Sequence, residues 1–397
     1  MWPVPPTQPP VAEDAVNNAL LGVIDPELGD NVVDLGMVRG VRIGDDGRVE
    51  VTIALTTAGC PLRAQLTKDV RARVGSVPGV SDVKVTMGEM TGNEKSALMA
   101  RARWKAREQA PATEIPPTAR VVAIASGKGG VGKSSVTVNL AAELARRGLT
   151  IGVLDADIGG FSIPRMLGVS GRVQAEEKKI LPIVKPVGEG RLEVVSMGSI
   201  EGAEEDQAVM LRGLMLNRAV QHFLEDVRWG DLDYLLIDMP PGTSDIQMGL
   251  ARMLPRTEML IVTTPAQAAQ KVAARAADMA RKGYLRVAGV IENMSAFECA
   301  HGTSYPLFGE GGGQRLSKQI GVPLLGSVPI DPQVAAGGDA GTPAVLAGDG
   351  DGSVSSPVAQ AFQRIADRIL TEAIPPVEMA TCTARLVEQV ESVLGPS

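Results

Sequence analysis

The stretch Gly127-Lys-Gly-Gly-Val-Gly-Lys-Ser134, followed by Ser135, carries the residue types that hold a polyphosphate. Its spacing is G-x-x-x-x-G-K-[ST], the phosphate-binding loop pattern. Gly127, Gly129, Gly130 and Gly132 let backbone N–H groups, Val131 included, turn inward toward phosphate oxygens. Lys133 would neutralise the β- and γ-phosphates of a nucleoside triphosphate, and Ser134 would offer its hydroxyl to Mg2+. A further lysine, Lys128, opens the loop. Two acidic runs complete the set: Asp155-Ala-Asp157, and Asp238 at the end of Leu235-Leu-Ile237. A carboxylate at such a strand end points at the ligand, and Asp238 suits Mg2+ held through water.

These residues need a frame, and the apolar pattern supplies one. Val121-Val-Ala-Ile-Ala125 reads as a strand leading into the loop, and 134–147 as the helix leaving it, so the positive end of the helix dipole faces the phosphates. Similar apolar strands recur at 151–154, 233–237, 259–263 and 287–291, with helical patterns between them. Such alternation predicts an α/β fold with a mostly parallel sheet covered by helices on both faces, over 119–372. The chain before it divides further. Residues 1–11 are Pro-rich and expected to be disordered. Residues 12–90 read as a small α+β domain, and 91–118 as a linker whose 95–109 part has helical character, with Arg101, Arg103, Lys105 and Arg107 on a solvated face. Residues 337–356 read as a Gly/Asp-rich loop, and 373–397 as a tail with a short helix at 383–394.

Composition narrows the functional classes. Among 397 residues, 44% are apolar and the net charge is −7, which suits a globular chain and argues against a broad nucleic-acid surface. The three cysteines, Cys60, Cys299 and Cys382, lie far apart and form no disulfide framework. The N-terminal residues show neither a basic nor an apolar signal region, and no stretch approaches a membrane span. The expected location is the cytoplasm, with neither membrane nor nucleic acid as partner.

Gly-Lys-Gly-Gly-Val-Gly-Lys-Ser resembles the signature of the deviant Walker A ATPases, the group of ParA, MinD and the nitrogenase iron protein. The resemblance implies a homodimer in which Lys128 reaches the partner's ATP. It also implies that Asp157 orients the attacking water, that Gly242 lies where a second switch approaches the γ-phosphate, and that Asn293 recognises adenine, as an amide with both donor and acceptor can. Lys128, Lys133, Asp157 and Asp238 are then the catalytic candidates. Within that group, Ser162-Ile-Pro-Arg-Met-Leu-Gly168, Pro240-Pro-Gly-Thr243, Glu292-Asn-Met-Ser295, Phe308-Gly-Glu-Gly-Gly-Gly313 and Val328-Pro-Ile-Asp-Pro332 look like the Mrp-type iron–sulfur cluster carrier ATPases, over about 118–370.

Asp25-Pro-Glu27, Val33-Asp-Leu-Gly36 and Thr57-Ala-Gly-Cys60-Pro61 resemble the small domain of iron–sulfur assembly proteins. Pro61 can start a helix, so the Cys60 thiol would lie near a helix N-terminus, which favours thiolate and a metal-handling role. The carrier family implies a cluster of the 4Fe–4S kind, bound by a C-x-x-C pair from each of two protomers and passed to acceptor apoproteins. This chain departs from that pattern: Cys299 is present, but Gly302 stands where the second cysteine would be. His301 and Cys382 are the alternative donors in sequence. Three rival functions stay open: a nucleotide-switched assembly scaffold without its own stable cluster, a MinD-like membrane ATPase and a ParA-like DNA-partitioning ATPase. The polar side of the tail's helix carries Glu388 and Glu391 with only Arg385 positive, poor for anionic lipid.

Overall fold

The computed structural model describes residues 11–25, 30–57, 62–108, 112–157, 160–177, 179–196, 213–242, 245–299, 301–347 and 356–376. The chain forms two compact units, divided between Gln109 and Ala110.

The first unit runs α1 (Glu13–Leu21), β1 (Ile24–Asp25), β2 (Asp30–Asn31), β3 (Val38–Ile43), β4 (Arg48–Leu55), α2 (Arg63–Gly75), β5 (Asp82–Glu89) and α3 (Gly92–Glu108). β3, β4 and β5 form one sheet, antiparallel between β3 and β4 and parallel between β4 and β5. Period-two alternation buries Val49, Val51 and Ile53 of β4 on one face. The helices present apolar residues at four-residue spacing to the core, Leu66, Val70 and Val74 from α2, and Val16 and Leu20 from α1.

The boundary between the units falls inside the segment 91–118, whose first part is the helix α3, with Leu98 buried. Thr91 and Glu94 make a capping box: the Glu94 carboxylate accepts the Thr91 N–H at 2.7 Å, while Thr91 Oγ1 accepts the Glu94 N–H at 3.3 Å. Arg39 donates twice to the same carboxylate, at 2.9 and 2.7 Å, and draws its proton affinity down to about 2. The second part belongs to the other unit, where Ile115 is buried and the Glu114 N–H donates to Leu224 O at 2.9 Å.

The second unit opens with β6 (Arg120–Ser126), α4 (Lys133–Arg146), β7 (Thr150–Asp155) and the single turn α5 (Ile163–Met166). Two small hairpins follow, β8 (Gln174–Glu176) with β9 (Lys179–Leu181), and β10 (Ile183–Val187) with β11 (Gly190–Ser196). Next come α6 (Gly213–Glu225), β12 (Tyr234–Asp238), α7 (Asp245–Met253), β13 (Glu258–Thr263), α8 (Gln267–Lys282) and β14 (Arg286–Glu298). The unit closes with β15 (Ser304–Tyr305), α9 (Gly312–Ile320), β16 (Leu324–Ile330), α10 (Pro332–Asp339) and α11 (Pro357–Arg368), which continues as a π-helical turn over Ile369–Ala373. α10 thus occupies the start of the segment 337–356 that the sequence reads as a loop, while 348–355 lies outside the described residues.

The central sheet has nine strands. β11, β7, β12, β6, β13, β14 and β16 are parallel neighbours in that order, and β10 and β15 add antiparallel margins. Both faces are covered, as expected from continuous apolar strands. In β6 the alternation is direct: Val122 and Ile124 enter the core with α4 and α11, whereas Val121, Ala123 and Ala125 enter the one with α6, α7 and α8. β6 sits between β12 and β13, so the chain leaves its C-terminal end at the crevice where such sheets bind ligands.

The opposite, N-terminal edge of the sheet is clamped to the end of the π-helical turn. Arg120 Nε donates to Pro375 O at 2.7 Å, Tyr234 Oη to Ile374 O at 2.6 Å, and Arg286 Nη1 to Ala373 O at 2.9 Å. Tyr234 is fully buried, so Tyr234→Phe leaves the Ile374 carbonyl without its donor. We expect a loss of about 1–2 kcal/mol, read as a thermal midpoint a few degrees lower. Melting curves that superimpose on wild type would refute the clamp.

Candidate functional site

The loop between β6 and α4 takes its shape from two kinds of glycine. Gly130 and Gly132 have φ of 76° and 77°, the left-handed region that L side chains avoid. Gly127 allows close approach instead: a Cβ there would lie 2.2 Å from the Val272 carbonyl carbon of α8. The loop is also braced from within, since Ser126 Oγ donates to Lys128 O at 3.0 Å.

Asp238, at the C-terminal end of β12, is the centre of the site. Its carboxylate pairs with Lys133 Nζ at 2.7 Å and accepts from Ser134 Oγ at 2.6 Å and Thr137 Oγ1 at 2.8 Å. Lys133 is 6% exposed and Asp238 1%, so this is a buried ion pair with its remaining lone pairs satisfied by hydroxyls. Asp157 Oδ2 lies 3.9 Å from Lys133 Nζ. The fold therefore brings together Lys133, Ser134, Asp157 and Asp238, which the sequence singled out. Thr137 was not among them; its only signal is its place one helical turn after Ser134. The adjoining hydroxyl and carboxylate oxygens are the hard donors Mg2+ prefers, leaving further positions to water and phosphate.

Asp155 ends β7 beside this pair and is fully buried. Its carboxylate gathers the loop that carries Asp157. It accepts N–H groups from Asp157 at 3.2 Å, Ser162 at 3.1 Å and Ile163 at 3.3 Å. Burial above all, and then the negative charge of Asp238, push the Asp155 carboxyl up to about 7; the amides and Lys133 oppose the shift. Burial also raises Asp157, against the pull of Lys133. On the far side of the loop, the Gly242 N–H (φ 87°) donates to Ser126 O at 2.9 Å.

Lys128, Gly129 and Gly130 are exposed, and Ser135 is half-buried. Asn293, expected at the adenine, is engaged by the loop itself. Its Nδ2 donates to Val131 O at 2.9 Å, and a Cβ on Gly132 would lie 2.2 Å from that nitrogen.

Cys299 follows β14 at the mouth of a hairpin closed by β15. Its N–H donates to Thr303 O at 3.0 Å, and its own carbonyl accepts from the Gly302 N–H at 2.9 Å. N–H groups of His301 and Thr303 directed at the sulfur hold the Cys299 thiol below the ordinary range. Gly302 has φ of 75°, so the position that would carry a second cysteine is a left-handed turn. Phe297 and Tyr305 stack with centroids 6.5 Å apart, and Tyr305, Leu307 and Phe308 are exposed beside them. Among the described residues no group of three or more His, Cys, Asp or Glu side chains is placed to hold a metal ion. Cys60 and Cys382 lie outside the described residues.

Comparison with known proteins fits both units. Residues 118–370 match the family described as NUBPL iron-transfer P-loop NTPase, and residues 13–87 that of an iron–sulfur cluster assembly protein. A Mycobacterium bovis protein called iron–sulfur cluster carrier protein is 46% identical over 364 residues, covering 90% of this chain and 93% of its own. A Bacillus subtilis protein of the same name is 37% identical over 322 residues, covering 81% of this chain and 88% of its own. Among solved structures, an Archaeoglobus fulgidus nucleotide-binding protein in complex with ADP is 33% identical, covering 60% of this chain and 91% of its own, with a TM-score of 0.49.

The Asp155 carboxyl gives a pH test. Its ordinary value is 3.8 and its folded value about 7. Between these values the folded chain keeps a proton that the unfolded chain releases, so this group's contribution to stability falls as pH rises. Asn does not titrate. The difference in melting temperature, Asp155→Asn minus wild type, should therefore become more positive from about pH 4 to about pH 7 and then level off. A difference that stays flat with pH would contradict the assignment.

Proposed function

Because the chain belongs to the NUBPL iron-transfer P-loop NTPase family, we propose that it is an ATP-hydrolysing carrier, active as a homodimer in the cytoplasm, that binds an iron–sulfur cluster and passes it to acceptor apoproteins. The observation that carries the ATPase reading is the buried set Lys133, Ser134, Thr137 and Asp238 at the loop between β6 and α4.

Chemistry follows from those groups. Phosphate oxygens compete with Asp238 for Lys133, and the loop amides take the rest of the polyphosphate. Ser134 and Asp238 would hold Mg2+, which when bound would neutralise charge on the phosphate oxygens. Asp157, next to Lys133, orients a water for attack on the γ-phosphorus; the bond to the bridging oxygen breaks, giving ADP and inorganic phosphate. Lys128, exposed at the loop's shoulder, reaches the nucleotide of a second protomer. Asn293 keeps a free N–H and Oδ1 for the adenine edge while its other N–H holds Val131.

For the cargo, Cys299 is the thiolate donor, and two protomers supply two of them; Cys60 is a further candidate. A 4Fe–4S cluster asks for four ligands. Gly302 in a left-handed turn favours a second reading, in which the protein is a nucleotide-switched assembly scaffold without a stable cluster of its own. Membrane and nucleic-acid partners are not part of the proposal; no helix among the described residues is long and apolar enough to cross a membrane.

Two measurements test the proposal. Steady-state phosphate release should fall about 100-fold or more in Lys133→Ala and Asp157→Ala, with nucleotide affinity largely kept in the latter. Equal rates in wild type and both variants would refute hydrolysis at this site. Anaerobic reconstitution, with iron and sulfide counted per dimer, should load wild type and lose most of the load in Cys299→Ala; Cys60→Ala and Cys382→Ala identify the other donors. Wild type without iron would favour the scaffold.

A further inference from the structure

β14 joins the two functional ends of the second unit. At Asn293 it touches the phosphate loop, through the 2.9 Å bond to Val131 O and the packing against Gly132. Cys299 lies six residues further along the same chain segment. Adjacent strand residues face opposite ways, and the neighbour Glu292 is tied on the other face. Its carboxylate accepts from Ser327 Oγ at 3.1 Å and from the Gly313 N–H at the start of α9. A Cβ on Gly313 would lie 2.6 Å from Glu292 Cβ, so the glycine in the first turn of α9 serves this close contact. Between the tied pair and the hairpin stands Met294, with φ of 57°, a left-handed conformation rare for such a side chain. Its Cε lies 3.4 Å from a Cβ built on Gly132, so the kink too rests on the loop. Beyond it, Ser295 Oγ donates to Val328 O at 3.2 Å, Phe297 pairs with Ile330, and the hairpin begins.

A second connection exists. The loop after Asp155 leads into α5, whose Arg165 pairs with Asp339 of α10 at 3.1 Å. α10 follows β16, the strand beside β14. That pair is 61% and 75% exposed, and exposed pairs hold little free energy. The Asn293 bond is buried and shorter in path.

We propose that Asn293 and Met294 form the joint through which nucleotide at the phosphate loop changes the setting of the Cys299 hairpin. The inference rests on the nucleotide reading above and adds to it a mechanism for regulating the cysteine. Phosphates draw the loop N–H groups and Lys133 toward themselves, which moves the peptide that presents Val131 O. A base on the free N–H and Oδ1 of Asn293 would pull the same amide. Either displacement acts on a strand held rigidly at Glu292, so it is taken up at the left-handed residue and passed to the hairpin. A ligand shifts such an equilibrium only through contacts that differ between two arrangements; here the differing contact is the Asn293–Val131 bond.

The test reads the rate of iodoacetamide alkylation of Cys299, resolved by peptide mass spectrometry in the full-length, reduced, iron-free chain. It is read without nucleotide and with a saturating non-hydrolysable ATP analogue and Mg2+, with occupancy measured by a fluorescent analogue. Wild type should change its rate about fivefold or more, an ordinary coupling strength. Asn293→Ala and Met294→Gly, once loaded, should lose most of that change, and Arg165→Ala should keep it. The second variant frees the left-handed residue without removing the amide, so a failure of Asn293→Ala to fold leaves the question decided by Met294→Gly. A full nucleotide response in either loaded variant, or no response in loaded wild type, overturns the inference while leaving the nucleotide reading intact. Failure of wild type to load nucleotide overturns that reading, and the inference with it.

Discussion

Lys133 is a cation at the first residue of α4, where the helix dipole is positive. Left alone and buried, its ammonium would be destabilising. Asp238, arriving at the end of β12, supplies the opposing charge at 2.7 Å, and Ser134 and Thr137 satisfy what remains of its carboxylate. A buried pair of this kind contributes little net stability, because desolvation offsets much of the attraction. What it does is fix the position of an ammonium that a polyphosphate can take over. The consequences spread outward. Burial and then the charge on Asp238 raise the Asp155 carboxyl, and the ammonium of Lys133 works against the burial that raises Asp157. Asp155 in turn holds the backbone of the segment bearing Asp157. One electrostatic arrangement therefore links Lys133, Asp238, Asp155 and Asp157.

The rest of the second unit keeps that arrangement in register. β12, β6 and β7 are parallel, with Asp238 paired to Ile124 and to Asp155 in the ladder. A slip of one residue in either ladder would turn Asp238 to the other face of the sheet and separate it from Lys133. Both faces of these strands are buried under helices, so neither slip has a low-energy alternative. The clamp on residues 373–375 secures the start of β6, β12 and β14 at the opposite edge.

Legibility of these features follows the range of the interaction behind them. The loop from Gly127 to Ser134 is one continuous segment between an apolar strand and a helix, so its chemistry and context are read together. Asp238 was readable because five buried residues form an unbroken strand that ends in a carboxylate. Thr137 was not, since a threonine inside a helix is ordinary until Asp238, about 100 residues later, is folded against it. Asn293 meets Val131 across a still longer stretch, and no local pattern reports that bond. β10 was missed for a different reason: Pro186 interrupts it, and proline is tolerated there because β10 is an edge strand. The start of α3, by contrast, has a local signal in the capping box Thr91-x-x-Glu94.

The cysteine hairpin obeys a different constraint from the phosphate loop. Its turn closes through the Gly302 N–H on Cys299 O, and the positive φ of Gly302 turns the chain on toward Thr303. A Cβ at 302 would meet nothing within 4 Å, so space does not oppose a cysteine there; the positive φ does, at a cost of about 1–3 kcal/mol. The same turn presents the N–H groups of His301 and Thr303 to the Cys299 sulfur, which favours thiolate. The glycine thus removes one thiol from the hairpin while its turn activates the thiol that stays. A hairpin built this way holds a single strong donor in a defined setting, which suits a ligand set completed by groups from other segments or a second protomer.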